Sequence, residues 1–262
     1  MKIVEHSELR TFVEEELYRD QSPENIAGRI KAHEQRLPHI SKESIYRYIG
    51  SVYGRRIEYH RTKKKARRRK RRVQAEKLTE RTFIEKRPLS INKRMRVGKA
   101  EADFIVSGKN GTGILLTVVD RKVRAVFLEL ILEVTIERVH QAFGQIKKRY
   151  PELRTFTTDN DILFRHHQKL ARLLGVKIYF CHPYHSWEKG SIENVNGVIR
   201  KTMPKGSDLS RYSKRFVRVL EKKLNDRFMK CLGYQTPSEA LCEARKQKKL
   251  RDRRRKREKY RI

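Results

Sequence analysis

Three carboxylates carry the chemistry this chain is able to do. Asp159 ends the short β-branched run Phe156-Thr157-Thr158, Glu193 lies on the helically patterned stretch Ser191 to Met203, and Asp103 stands at the start of a strand in Glu101-Ala102-Asp103-Phe104-Ile105-Val106. Carboxylate oxygens from three separate elements can hold two hard cations, Mg²⁺ or Mn²⁺, which take oxygen ligands and keep some water. Two such ions about 4 Å apart activate an attacking oxygen and stabilise the leaving oxygen of an in-line phosphoryl displacement. With 31 acidic residues in the chain, a trio could arise by chance. The pattern between Asp159 and Glu193, which has room for a helix, a strand and a loop, argues against chance.

The elements that must position these acids follow from periodicity. After Asp159, Leu163, Leu170, Leu173 and Leu174 are expected on one helix face, closed by Gly175 as C-cap. Val176 to Phe180 alternates as a strand. Upstream, Phe104 to Val106, the continuous apolar run Ile114 to Val119 and Ala125 to Leu132 predict a three-stranded antiparallel meander. Thr135 then caps a helix bearing Ile136, Val139, Phe143, Ile146 and Tyr150. The acids thus fall at element ends or on a helix facing the sheet edge, where open α/β sheets place their sites.

Around the trio, Glu193, Asn196 and Arg200 share a helix face at i, i+3 and i+7, which suits a surface gripping a phosphate chain beside a metal. Lys189, Arg200 and Lys201 are the phosphate-contact candidates. Trp187, the single tryptophan, reads equally as a loop anchor or as a base-stacking platform. Glu101 reads as a supporting residue, and Asp120, in Asp120-Arg121-Lys122, as a turn residue. Cys181-His182 with His185 resembles half of a zinc corner, but no second ligand pair stands at a suitable spacing, so no zinc site is expected.

Two stretches of the chain are strongly basic. The whole carries 65 Lys and Arg against 31 Asp and Glu, a net charge of +34, which calls for a polyanionic partner. Composition alone does not separate an enzyme from a ribosomal-type structural protein. Residues 55 to 72 hold 12 basic residues and one Glu, a run expected not to pack and to act as a linker that also neutralises phosphates. Residues 245 to 261 hold 12 basic and two acidic residues, expected as a helical or disordered tail lying on DNA. Ahead of the first run, three short helices are predicted: one over residues 7 to 19, one capped by Ser22 with Pro23 at its first position, and one from Ser41 to Gly50. Lys42, Ser44 and Arg47 face outward on the third, as in a helix-turn-helix that reads DNA; a small helical bundle for protein contact is the alternative. Cys181, Cys231 and Cys242 read as free thiols in a reducing cytosol. No stretch has transmembrane length, and the N-terminus lacks a signal-peptide core.

At this point the chain resembles a known family, the DDE transposases of the insertion-sequence-thirty type. The matching residues are Glu101-Ala102-Asp103, Thr158-Asp159-Asn160, Tyr179-Phe180-Cys181-His182-Pro183-Tyr184, Ser186-Trp187-Glu188-Lys189-Gly190 and Glu193-Asn194-Val195-Asn196-Gly197. Pro204-Lys205-Gly206 and Thr236-Pro237-Ser238-Glu239 extend the likeness, which covers roughly residues 22 to 241. Two departures stand out: Ala100-Glu101-Ala102-Asp103 replaces the usual Trp-Glu-Gly-Asp, and Asp161 stands where the family carries Gly, a residue with wider backbone freedom. An additional N-terminal helix-turn-helix that family members often carry is not found.

The resemblance implies an α/β fold: a ribonuclease-H-like mixed five-stranded sheet with flanking helices, preceded by a small all-α helix-turn-helix domain. Asp103, Asp159 and Glu193 map to the catalytic, metal-holding trio. The expected domains are a DNA-binding domain over 1–54, a basic linker over 55–96, a catalytic core over 97–205 and C-terminal helices with the basic tail over 206–262. The implied activity is cleavage at the ends of an insertion sequence and joining of the 3′ hydroxyls to target DNA by two-metal phosphoryl transfer. The expected partners are double-stranded DNA, as terminal inverted repeats and target, and further copies of the chain on that DNA, in the prokaryotic cytoplasm with the nucleoid and without a membrane. Two rivals stand beside it. One is a catalytically inactive DNA-binding protein derived from a transposase, though none of the three acids is lost; the other is a structural RNA-binding protein, which has no use for the Asp-Asn and Glu-x-x-Asn motifs.

Overall fold

A computed structural model describes residues 1–62, 81–109, 111–182 and 185–259, apart from the side chains of residues 59–62, 186, 187, 255, 256 and 259. Two compact units are formed, residues 1–71 with 226–262, and residues 72–225.

The first unit contains α1 (Lys2–Glu5), α2 (Ser7–Tyr18), α3 (Pro23–His33), α4 (Lys42–Ile49), α5 (Arg55–Thr62) and, from the other end of the chain, α11 (Pro237–Lys259). Local signals start these helices. Ser22 Oγ accepts from Asn25 N–H at 3.2 Å with Pro23 in the first turn, and Ser41 Oγ accepts from Ser44 N–H at 3.3 Å. Leu9, Val13 and Leu17 of α2 meet Ile26 and Ile30 of α3 and Ile45 and Tyr48 of α4 in one core. Ile57 of α5 is only 2% exposed in that core. The start of the basic run is therefore a helix anchored by Ile57 and not an unpacked linker; residues 63–72 lie outside the described residues.

The C-terminal segment from Asp226 packs in this first unit, so the boundary expected at residue 206 moves. Gln21 Nε2 donates to Asp226 O and Gln21 Oε1 accepts from Phe228 N–H, both at 3.0 Å. Asn25 Nδ2 donates to Phe228 O at 2.6 Å, and the Arg29 guanidinium holds both oxygens of Glu239 at 2.8 and 3.0 Å. A Cβ on Gly28 would lie 2.1 Å from the Tyr234 ring, so glycine is required at that crossing. Polar side chains make this docking, which is why apolar periodicity does not signal it. Thr236 and Glu239 form the expected reciprocal capping box, Oγ1 accepting from Glu239 N–H at 3.1 Å and Oε2 from Thr236 N–H at 2.8 Å.

Inside this core Tyr48 is fully buried and its hydroxyl donates to Glu14, which Arg10 also holds at 3.0 Å. Burial, then the Glu14 carboxylate, pushes the phenol up from 10.0 to about 12. A raised folded-state value means the phenol's contribution is complete below about pH 10 and is lost as pH climbs from about 10 to about 12. Tyr48→Phe is expected to cost about 2 kcal/mol at neutral pH, as for a hydrogen bond to a charged acceptor. It should also flatten the alkaline limb of the stability curve, measured by thermal melts across that range. An alkaline limb of unchanged steepness would show that Tyr48 does not carry it.

The second unit holds α6 (Leu89–Asn92), β1 (Lys99–Val106), β2 (Ile114–Asp120), β3 (Val126–Ile131), α7 (Ile136–Arg149), β4 (Thr155–Thr158), α8 (His167–Leu174), β5 (Lys177–Phe180), α9 (Gly190–Thr202) and α10 (Lys214–Asn225). The sheet order is β3-β2-β1-β4-β5, with β1–β3 antiparallel and β4 and β5 parallel to β1, a mixed five-stranded sheet as expected. On one face, Ile105, Leu115, Val119 and Leu128 pack against Ile192, Val195 and Ile199 of α9 and Val217, Leu220 and Leu224 of α10. On the other, Phe143 of α7 stacks on Phe156 at 4.9 Å, and Phe164 meets Phe104 at 5.2 Å. Each sheet edge has part of its backbone hydrogen-bonded to a neighbouring segment, which leaves less of it free to pair with another strand. Asn225 exchanges two hydrogen bonds with Val126 at 2.8 and 2.7 Å, and Phe180 N–H donates to Thr82 O at 2.9 Å. Residues 81–96 belong to this unit, with Ile91 buried, so the expected linker is occupied by structure at both of its ends.

Three finer expectations change. β1 begins at Lys99, so Asp103 sits inside a strand and not at its start. After Asp159 a short turn at Ile162–Phe164 precedes α8, and the buried face is Phe164, His167, Leu170 and Leu174, with Leu173 65% exposed. Gly175 does close α8, at φ 59°. No described helix is long and apolar enough to cross a membrane.

Candidate active site

The parallel register of β1 on β4 pairs Glu101 with Thr157, and two residues further along stand Asp103, within β1, and Asp159, just past the end of β4. Side chains two apart share a face, so both aspartates look toward α9. Between them lies Lys189, at the N-cap position of α9 and only 4% exposed. Its Nζ is 3.1 Å from Asp103 Oδ1 and 3.1 Å from Asp159 Oδ2. Asn196 Nδ2 donates to Asp103 Oδ2 at 2.7 Å. In the structure Lys189 thus turns inward on both aspartates and Asn196 on Asp103.

Glu193 is exposed on α9, one turn beyond Lys189 and one turn before Asn196, both of which reach Asp103. The structure therefore joins the two aspartates through one ammonium and places Glu193 at the rim of the same helix face. Arg200 also turns inward: its guanidinium donates to Val106 O at 3.0 Å and Pro204 O at 3.3 Å, tying the end of α9 to the end of β1. Lys201 is exposed. In the first unit, Lys42 and Arg47 are exposed on α4 and Ser44 is half-buried beside Ser41. The Trp187 side chain lies outside the described residues.

Burial, reinforced by the nearby Asp159 charge, pushes the Asp103 carboxyl up despite the Lys189 ammonium. Burial alone would pull the Lys189 ammonium down, but Asp159 and Asp103 outweigh it and hold the value above the ordinary lysine range. Among the described residues, Asp159 Oδ1 and Asn196 Oδ1 are buried acceptors with no hydrogen-bond donor. Unpaired buried oxygens beside a second carboxylate suit an oxygen-seeking cation.

Supporting residues hold this frame. Glu101, 1% exposed, accepts from Ile192 N–H at 3.0 Å in the first turn of α9 and pairs with Arg121 at 3.1 Å. Asp120 is spent on its turn, accepting from Lys122, Val123 and Gly98 N–H at 2.8, 2.8 and 2.9 Å. Asn160 donates to Cys181 O at 2.9 Å and accepts from Arg81, fixing the loop after β4. Asp161 has φ −65°, open to any residue, and caps the following turn by accepting from Leu163 N–H at 2.9 Å. Glycine's freedom is not needed there.

The chain is 36% identical over 224 residues to the transposase for insertion sequence element IS4351 of Bacteroides fragilis, a match covering 83% of this chain and 68% of that protein. It is 30% identical over 247 residues to transposase InsI for insertion sequence element IS30A of Escherichia coli (strain K12), covering 89% of this chain and 64% of that protein. The chain belongs to the insertion-sequence-thirty family of transposases. The aligned part spans about two thirds of the length of these two relatives. No family model matches the chain. Among solved structures, the catalytic core domain of BIV integrase overlays with a TM-score of 0.45 at 20% identity, covering 58% of this chain and 97% of that one. In this transposase Lys189, expected among the DNA contacts, sits between Asp103 and Asp159.

Proposed function

We propose that this chain cleaves the ends of an insertion sequence and joins the freed 3′ hydroxyls to target DNA, with Asp103, Asp159 and Glu193 as its catalytic residues. The observation that carries this reading is the Lys189 ammonium held at 3.1 Å from both Asp103 and Asp159, which marks the pair as a cation clamp. Asp103, Asp159 and Glu193 would hold two Mg²⁺ or Mn²⁺ ions, which supply an activated attacking oxygen and a stabilised leaving oxygen. Asn196 orients Asp103, and Glu101 pins the first turn of α9, the turn that carries Glu193. Neither step requires a covalent protein–DNA intermediate. Double-stranded DNA is the partner, read by Lys42, Ser44 and Arg47 of a helix-turn-helix and gripped by Lys201 and the basic runs, with several copies of the chain assembling on it. Cleavage of DNA carrying the element's own ends, in the presence and absence of Mg²⁺ or Mn²⁺, tests the reading. Binding without cleavage in either metal would favour the inactive DNA-binding alternative.

The basic run over residues 55–72 gives a separate expectation. Neutralising its 12 Lys and Arg should weaken DNA binding and flatten its salt dependence, by about 0.9 in log–log slope for each phosphate the protein no longer neutralises. Binding isotherms at several salt concentrations measure this, and an unchanged slope would make the run a spacer.

A further inference from the structure

We infer that His182, His185 and Glu188 form a transition-metal site, suited to Zn²⁺, that staples the loop between β5 and α9. Their ligand atoms lie within 4.8 Å of one another. His182 Nδ1 stands 2.9 Å and His185 Nδ1 3.5 Å from the same Glu188 Oε1. Ligands about 2.0–2.1 Å from a tetrahedral zinc stand about 3.3 Å apart, so one ion fits between them with little movement. Two imidazoles with one carboxylate favour a borderline ion over Mg²⁺ and leave a fourth position for solvent. The site is built beyond its ligands. Glu85 pairs with His182 Nε2, the outer partner that fixes the tautomer and orientation of a ligating histidine. The Phe83 ring stacks on His182 at 5.6 Å and 8°, and His182 N–H donates to Glu188 Oε2 at 3.0 Å. The imidazoles are 32% and 43% exposed, which leaves an entry path, while Glu188 is 15% exposed. Cysteine and histidine spacing alone hides this site, because the completing ligand is a glutamate and its outer partner comes from far upstream.

Glu188 precedes Lys189, so a bound ion would fix the residue that meets Asp103 and Asp159. The site itself does not rest on the transposase reading. The test titrates the full chain with Co²⁺ as a spectroscopic stand-in for Zn²⁺, in saturating Mg²⁺ to occupy carboxylate-only sites. The d–d absorption should show one equivalent of Co²⁺ displaced by Zn²⁺, and Zn²⁺ should raise the melting temperature. His182→Ala with His185→Ala should lose both signals, while Asp159→Asn should keep both, which separates this site from the catalytic acids. Glu85→Gln keeps all three ligands and should weaken Zn²⁺ binding about 10-fold. Equal Co²⁺ stoichiometry in the double histidine variant would overturn the site, as would its loss in Asp159→Asn.

Discussion

Glu193→Gln is expected to lower cleavage and strand joining at least about 10³-fold, about 4 kcal/mol in the barrier, while leaving binding to the element's ends intact. The substitution keeps the side chain's length but removes a charge from a group that is already exposed on α9, so the fold loses little. A neutral amide oxygen ligates a hard cation more weakly than a carboxylate. In-line transfer asks for stabilisation of both the entering and the leaving oxygen, so weakening one ligand removes the chemistry without removing the DNA grip. That grip depends on the basic runs and on α4, which the change does not touch. Asp159→Asn should behave alike. Asp161→Asn should be much milder, because Asn keeps an acceptor for Leu163 N–H and burial already pushes the Asp161 carboxyl up. Single-turnover cleavage alongside a binding titration decides the matter. Glu193→Gln cleaving at the wild-type rate in Mg²⁺ would remove Glu193 from the catalytic set.

What could be read from the sequence was local. The caps at Ser22, Ser41 and Thr135 and the reciprocal box at Thr236 and Glu239 form as expected, because each depends on residues three apart. The strands were legible from the apolar run Ile114 to Val119, the β-branched Phe156-Thr157-Thr158 and the alternation of Val176 to Phe180, but the parallel pairing of the last two was not. Faces were read less well. Leu173 looked like a core residue but is 65% exposed, since a leucine one position off the stripe satisfies the same approximate period. The pairing of the C-terminal segment with α3 was not legible, because Gln21, Asn25 and Arg29 make it with hydrogen bonds. Lys189 was legible as a residue of the site but not in its role. Nothing in its type says whether an ammonium faces solvent phosphate or buried carboxylate; only the β1–β4 register, which sets Asp103 beside Asp159, decides that.

Lys189→Met is expected to destabilise the metal-free protein by about 3 kcal/mol, at the low end for removing one partner of a buried ion pair. The low end applies because Asp159 is 47% exposed and water screens part of its charge. Methionine keeps the unbranched stem but leaves Asp103 and Asp159 facing each other without a counter-ion. Asp103, already pushed up by burial and by Asp159, should rise further, since the ammonium that opposed the rise is gone. A divalent cation can take over the ammonium's electrostatic role, so Ca²⁺ should stabilise the variant more than the wild type, where the lysine must first give way. This follows from linkage: a ligand stabilises the folded state according to how far its concentration exceeds its dissociation constant. Melting curves with and without Ca²⁺ measure both effects. Had Lys189 been an outward phosphate contact, the metal-free melting temperature would stay near wild type and DNA affinity would fall instead. Equal metal-free stability together with an equal gain from Ca²⁺ would show that the ammonium does not hold the two aspartates in solution.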